Sequence, residues 1–226
     1  MRVLIVNPNT SLGVTARIGA AAQAVAEPGD HFTTLPAASG PELIVTEADA
    51  EAATRGVLRA IDGHRAALDG IVLASFGDTG AAMVRARHPG LPVLGIAEAA
   101  FAEVRHIGGP FSIVTFAPEV AGSLADKAAE HGVGDALLGV MHPPAPLAHD
   151  PADVADAMLS DLQEMCLQCA AQGARSIVMG GGPLAGVARR IAPACPVPVV
   201  DGTQAAIGQL RARLASGTER RLSRQG

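Results

Sequence analysis

The chain has no tryptophan, no tyrosine and only five phenylalanines in 226 residues. Aromatic platforms for stacking nucleic-acid bases are therefore missing, and the core has to be assembled from Ala, Val, Leu and Ile. Positive charge is scarce as well. The 17 Lys and Arg residues are scattered and outnumbered by 22 Asp and Glu, for a formal charge of −5, which argues against a nucleic-acid partner. Although 49% of the residues are hydrophobic, no apolar run approaches the ~18 residues of a membrane span. Asn7 and Pro8 interrupt the apolar start before a signal-peptide core can form. Three cysteines are too few for a disulfide framework and fit a reducing compartment. A cytoplasmic protein with neither membrane nor nucleic-acid partner is expected.

What the chain does have is an internal repeat. Ile71-Val-Leu-Ala-Ser75-Phe-Gly77-Asp78-Thr79-Gly80 matches Ile177-Val-Met-Gly-Gly181-Gly182-Pro183-Leu184-Ala185-Gly186, 106 residues later. The same offset of 106 aligns Leu91 to Ala100 with Val197 to Ala206, and Phe111 to Thr115 resembles Val3 to Asn7 at an offset of 108. Each copy reads as a buried strand, a Gly-rich turn, a short helix, a second strand and another helix. Strands are expected at Arg2 to Val6, Phe32 to Leu35, Ile71 to Ala74, Pro92 to Ile96, Phe111 to Thr115, Ala136 to Val140, Ser176 to Met179 and Val197 to Val200. Helices are expected at Leu12 to Ala26, from Thr46 to about Leu68, after Asp78 to near His88, at Pro118 to His131, from Asp150 to about Gln172, and from near Gly202. Alternating strands and helices give an α/β class with doubly wound, mostly parallel sheets. The division is a first half at 1–105 and a second at 106–202, with a C-terminal helix at 203–215 packing back on the first half and a flexible tail at 216–226. Ligands bind such sheets at the turns that follow strand carboxyl ends, so a site is expected between Ser75 and Gly181.

These motifs, in this order, resemble the Asp/Glu/hydantoin racemase superfamily: Val-Asn7-Pro8-Asn9-Thr10-Ser11, Phe76-Gly77-Asp78, Gly95-Ile-Ala-Glu98-Ala, Phe111-Ser-Ile-Val-Thr115 and Pro198-Val-Val-Asp201-Gly202. The resemblance covers nearly the whole chain and is closest to the hydantoin and allantoin racemase branch. It implies two flavodoxin-like halves related by a pseudo-twofold axis. It also implies a cysteine from each half flanking the substrate carbon, in motifs that usually read Ala-Cys-Phe-Gly-Asp and Leu-Gly-Cys-Ala-Gly-Met. Here those cysteine positions hold Ser75 and Gly181. A thiol can be tuned to ionise near neutrality, whereas a serine hydroxyl needs an adjacent base and glycine has nothing to transfer. Two-thiol racemisation is therefore not supported, and decarboxylase, other lyase or Ser75-aided hydrolase chemistry stands beside a non-catalytic carboxylate- or imide-binding role.

The retained cradle is Asn9, Thr10, Ser11, Gly77, Asp78, Thr79, Gly181 and Gly182, with Thr115, Pro183 and Leu184 completing the candidate substrate-binding set. Backbone N–H groups at helix starts hold carboxylate or imide oxygens and stabilise an enolate. Ser75 is the candidate catalytic residue and Gly181 marks the empty second position. Asp78 reads as a helix N-cap in preference to an acid catalyst. Cys166 and Cys169 read as core and Cys195 as structural, while His142 and His149 bracket a Pro-rich loop whose commoner fate is exposure. A small-molecule substrate, a homo-oligomer, and no cofactor or metal are expected.

Overall fold

The computed structural model describes residues 1–222, with side chains through residue 216. In chain order the first half runs β1 (Arg2–Asn7), α1 (Leu12–Gln23), β2 (His31–Pro36), α2 (Glu47–Gly63), β3 (Gly70–Leu73), α3 (Ala81–Arg87), β4 (Val93–Gly95) and α4 (Ile96–Ile107). The second runs β5 (Phe111–Val114), α5 (Ala121–Glu130), β6 (Leu137–Met141), α6 (Val154–Ala157), α7 (Leu159–Ala171), β7 (Ser176–Met179), α8 (Val187–Ile191), β8 (Val199–Asp201) and α9 (Gly202–Leu222). Each half builds one four-stranded parallel sheet, ordered β2-β1-β3-β4 and β6-β5-β7-β8. This is the α/β architecture of two like sheets that the repeat anticipates.

β3, β5 and β7 are buried at every residue, because helices cover both faces of each sheet. One apolar cluster runs through both halves, joining Ile5, Leu94 and Phe101 to Ile113, Val178 and Val200. Phe101 meets Phe76 and Phe111 edge-on, each with ring centroids 6.1 Å apart. α9 lies against α4, α1 and β3, while α4 also reaches β7 and β8, so each half contributes its last helix to the other. Where these helices begin, the equivalent residues Ile96 and Gly202 touch, and a Cβ on Gly202 would stand 2.5 Å from the Ile96 carbonyl oxygen.

Several boundaries differ from the sequence reading. α2 stops at Gly63 instead of near Leu68, since His64 leaves the helical region and Asp69 must return to bond the Arg2 N–H at 2.7 Å beside β1. The long helix expected from Asp150 to Gln172 is two helices broken at Met158. Asp156, one residue before that break's last helical residue, is drawn out by Arg17 of the first half at 2.7 Å and by Arg190 at 2.6 Å. α9 continues past residue 215 to Leu222, and the rest of the expected tail, 223–226, lies outside the described residues. No helix among the described residues is long and apolar enough to cross a membrane.

Candidate functional site

The two Gly-rich turns leave the carboxyl ends of β3 and β7, the central strands of their sheets. At the first, half-buried Ser75 accepts a hydrogen bond from the Gly77 N–H at 3.1 Å and shares a second, also 3.1 Å, with the Thr79 hydroxyl. At the second, the Thr115 hydroxyl donates to the Gly180 carbonyl at 2.7 Å, fixing the chain as it enters Gly181. Gly181 has φ +130°, and a Cβ there would meet the Phe116 ring at 2.8 Å. Position 181 is thus glycine for two physical reasons, a left-handed backbone and a ring already in the space.

Both turns open into one cavity of about 260 Å³. Ser75, Phe76, Gly77 and Thr79 line it from one side, and Gly180, Gly181, Gly182 and Pro183 from the other. Among the described hydrogen bonds, none takes up the N–H of Phe76, Gly181 or Gly182, so each turn carries backbone donors without a described partner. Asn7 and Asn9 close the end of β1, where the Asn7 amide donates to Asn9 at 2.7 Å and to Thr15 at 3.0 Å. Apolar surface comes from Leu43, Phe116, Val120 and Leu124. Glu47, exposed in the first turn of α2, is the one lining residue with a charged side chain. The cavity supplies hydroxyl and N–H donors in an apolar setting, with no thiol, imidazole or amine in its wall.

Of the expected binding residues, Asn9, Gly77, Thr79, Gly181, Gly182 and Pro183 line this cavity with Ser75. The others stand behind it. Thr10 ties its N–H, at 3.0 Å, and its hydroxyl, at 3.3 Å, to the Pro41 carbonyl. Ser11 caps α1 by accepting from the Val14 N–H at 3.3 Å. Thr115 and Leu184 are fully buried supports. Asp78 is not the N-cap of α3; Gly80 is, with no side-chain cap bond. Asp78 instead takes φ +52° and turns its carboxylate away to the second half, where Oδ2 lies 2.7 Å from Nε2 of His131.

His142 bonds the Pro143 carbonyl at 2.8 Å and His149 is exposed, and neither lines the cavity. Cys166 and Cys169 are core residues of α7, and burial pushes the Cys166 thiol up to about 12, the wrong direction for a reactive thiol. Among the described residues no cluster of His, Cys, Asp and Glu is arranged to hold a metal.

Sequence reasoning missed three contributors. The segment from Leu43 to Glu47 forms the cavity rim, with Leu43 packing on the core of the second half. Phe116 fills the space beside Gly181, and its position directly after the Thr115 motif was the available signal. His131 carried no signal, because its partner is 53 residues away in sequence.

Residues 3–210 match the family described as Asp/Glu/Hydantoin racemase. A hydantoin racemase of Paenarthrobacter aurescens is 30% identical over 221 residues, which cover 96% of this chain and 92% of that protein. The allantoin racemase from Klebsiella pneumoniae superposes with a TM-score of 0.86 at 33% identity, covering 96% of this chain and 89% of its own. An allantoin racemase from Pseudomonas fluorescens follows at 0.82 and 26% identity, covering 96% and 92%. With nearly the whole chain matched, two like parallel sheets and a cavity between their equivalent turns, the chain belongs to the Asp/Glu/hydantoin racemase family.

Proposed function

We propose that the chain is an enzyme acting at a carbon next to carbonyls in a small carboxylate- or hydantoin-like substrate, by expelling a leaving group instead of exchanging a proton between two thiols. The observation that carries this reading is the cavity wall, where hydroxyl and N–H groups are present and positions 75 and 181 hold serine and glycine. Racemisation has to begin with a base that removes the α-proton. Decarboxylation does not: the carbon–carbon bond breaks, carbon dioxide leaves, and the electron pair passes into an enolate. Preorganised N–H donors on that oxygen are worth about 3 kcal/mol each, and Phe76, Gly181 and Gly182 supply such donors. Leu43, Phe116 and Leu124 make the setting apolar, which favours loss of a charged carboxylate.

The carbanion then takes the Ser75 hydroxyl proton, and Thr79 hands a solvent-derived proton back to Ser75 along their shared bond of 3.1 Å. The Gly77 N–H already on the Ser75 oxygen stabilises it while the proton is away. No electrons are gained or lost, so the step calls for no redox cofactor. Hydrolysis with Ser75 as nucleophile is disfavoured, since its partners are a hydroxyl and an N–H instead of a base. The substrate class draws support from the hydantoin and allantoin racemases that the chain resembles.

The test is incubation in deuterated water with substituted malonates and with single enantiomers of 5-substituted hydantoins. Carbon dioxide release from a malonate, with one deuterium placed in the product, is expected; deuterium entry at hydantoin C5 would overturn the reading. A second reading, a binding protein without turnover, is favoured by the same lack of an ionisable side chain at positions 75 and 181. It predicts thermal stabilisation by imides or small carboxylates with neither gas release nor exchange.

A further inference from the structure

Each Gly-rich turn is backed by one carboxylate, but the two are held in different ways. Behind the second turn stands Asp201, buried, at the end of β8. One of its oxygens accepts the Gly186 N–H at 2.5 Å and the other the Gln204 N–H at 3.0 Å, so that turn is secured inside its own half. The equivalent of Asp201 in the first half is Gly95, which has no side chain. The space over Gly95 is filled by Oδ1 of Asp78, which belongs to the turn itself. That oxygen is buried and has no hydrogen-bond partner, while Oδ2 has one partner, His131 at the end of α5 in the other half.

We infer that His131 is a positioning residue: across the interface it holds the Asp78 carboxylate, and through it the Ser75–Thr79 turn that carries the proposed chemistry. Asp78 sits at φ +52°, a strained conformation for a residue with a side chain, so the turn needs an external restraint. A half-buried carboxylate with an orphaned oxygen is costly unless its other oxygen is well paired. The imidazole is itself fixed: its ring lies 5.5 Å from that of Phe101, which in turn meets Phe76 of the cavity wall edge-on at 6.1 Å. The His131 backbone is tied too, its N–H to the Lys127 carbonyl at 3.0 Å and its carbonyl to Arg105 at 2.8 Å. The 77–79 turn thus rests on one histidine of the opposite half, and Phe76 reaches the same imidazole only through Phe101.

The inference rests on the two turns forming the substrate cradle, and its first test needs no substrate. Hydrogen–deuterium exchange of the whole chain is compared among wild type, His131→Ala, His131→Gln and Asp78→Asn. In His131→Ala, exchange of residues 74–80 is expected to rise about tenfold, the loss of one net hydrogen bond to a charged group, while residues 180–186 stay unchanged. His131→Gln, which returns an N–H donor, is expected to restore most of the protection. Asp78→Asn keeps the size of the side chain and is expected to fall between. Equal loosening of both turns, no loosening, or a Gln variant no better than Ala would each overturn the assignment. Once a malonate is turned over, His131→Ala is expected to lower kcat about tenfold with KM little changed, because the turn is displaced and not the binding walls. A chain without turnover would defeat the proposed chemistry and leave the exchange result to decide His131.

Discussion

Ser75 gives up two hydrogen bonds when truncated, one from the Gly77 N–H and one shared with Thr79. Gly77 is exposed and Thr79, though buried, opens onto the cavity, so Ser75→Ala is expected to cost about 1 kcal/mol of stability, read by chemical denaturation, while turnover falls to background. Unchanged turnover would reduce Ser75 to a turn cap. Position 181 is more demanding. Restoring thiols with Ser75→Cys and Gly181→Cys places a Cβ at φ +130° and 2.8 Å from Phe116. The second substitution is expected to destabilise by about 1–3 kcal/mol, and the first by much less, in the same denaturation experiment. Hydantoin C5 exchange is expected only in the double variant, and only if Phe116 yields; a stable double variant with no loss would mean that the turn relaxes freely. Ser75 and Gly181 were legible in the sequence because each follows a short apolar run and lies within two residues of a following glycine. The contact of Asp78 with His131 was not, because a left-handed carboxylate reaching another half looks, in sequence, like a helix cap.

At the scale of elements, α2 shows how a glycine in a helix can earn its place. Helix propensity alone favours Ala over Gly by about 1 kcal/mol. Yet a Cβ on Gly56 would collide with the Ser39 carbonyl, and the Gly56 carbonyl accepts the Ala38 N–H at 3.2 Å. Gly56 is where the 37–46 segment lies down on α2, and that segment carries the cavity rim from Leu43 onward. Gly56→Ala is therefore expected to lower the melting temperature and weaken ligand binding together, although it improves the helix; a higher melting temperature would refute this. The strands and the α2 start were legible: apolar runs marked the first, and the Thr46–Asp49 capping box, present with bonds of 2.9 and 3.1 Å, marked the second. The rim was not legible, since Leu43, Ile44 and Val45 form no motif and Leu43 gains its role only by packing on the other half.

Across the whole molecule, Asp30 gathers three separated pieces of chain. It accepts from the Met1 amino group at 2.9 Å, from Arg211 of α9 at 2.7 Å and from the Glu27 N–H at 3.0 Å. Burial alone would push its carboxyl up, but the Glu27 N–H, Arg211 and the amino group outweigh it and hold the carboxyl at about 2. Because this lies below the ordinary value of 3.8, the stabilisation is full above that value and is lost as pH falls through about 2, a contribution of about 2 kcal/mol. Asp30→Asn is expected to lower stability at neutral pH by that order and to flatten the acid limb of the stability curve below pH ~4; an unchanged acid limb would show that Asp30 does not anchor α9. The exchange of last helices across the axis at Ile96 and Gly202 has a different kind of consequence. A pair of identical subunits meeting in this way would be bound by symmetry, so any change at one turn would appear at both. A single polypeptide holding both halves is free of that bond. One turn can keep a hydroxyl and borrow its support from across the axis while the other keeps a bare backbone and its own carboxylate, and the two faces of a bound carbon then meet unlike surroundings.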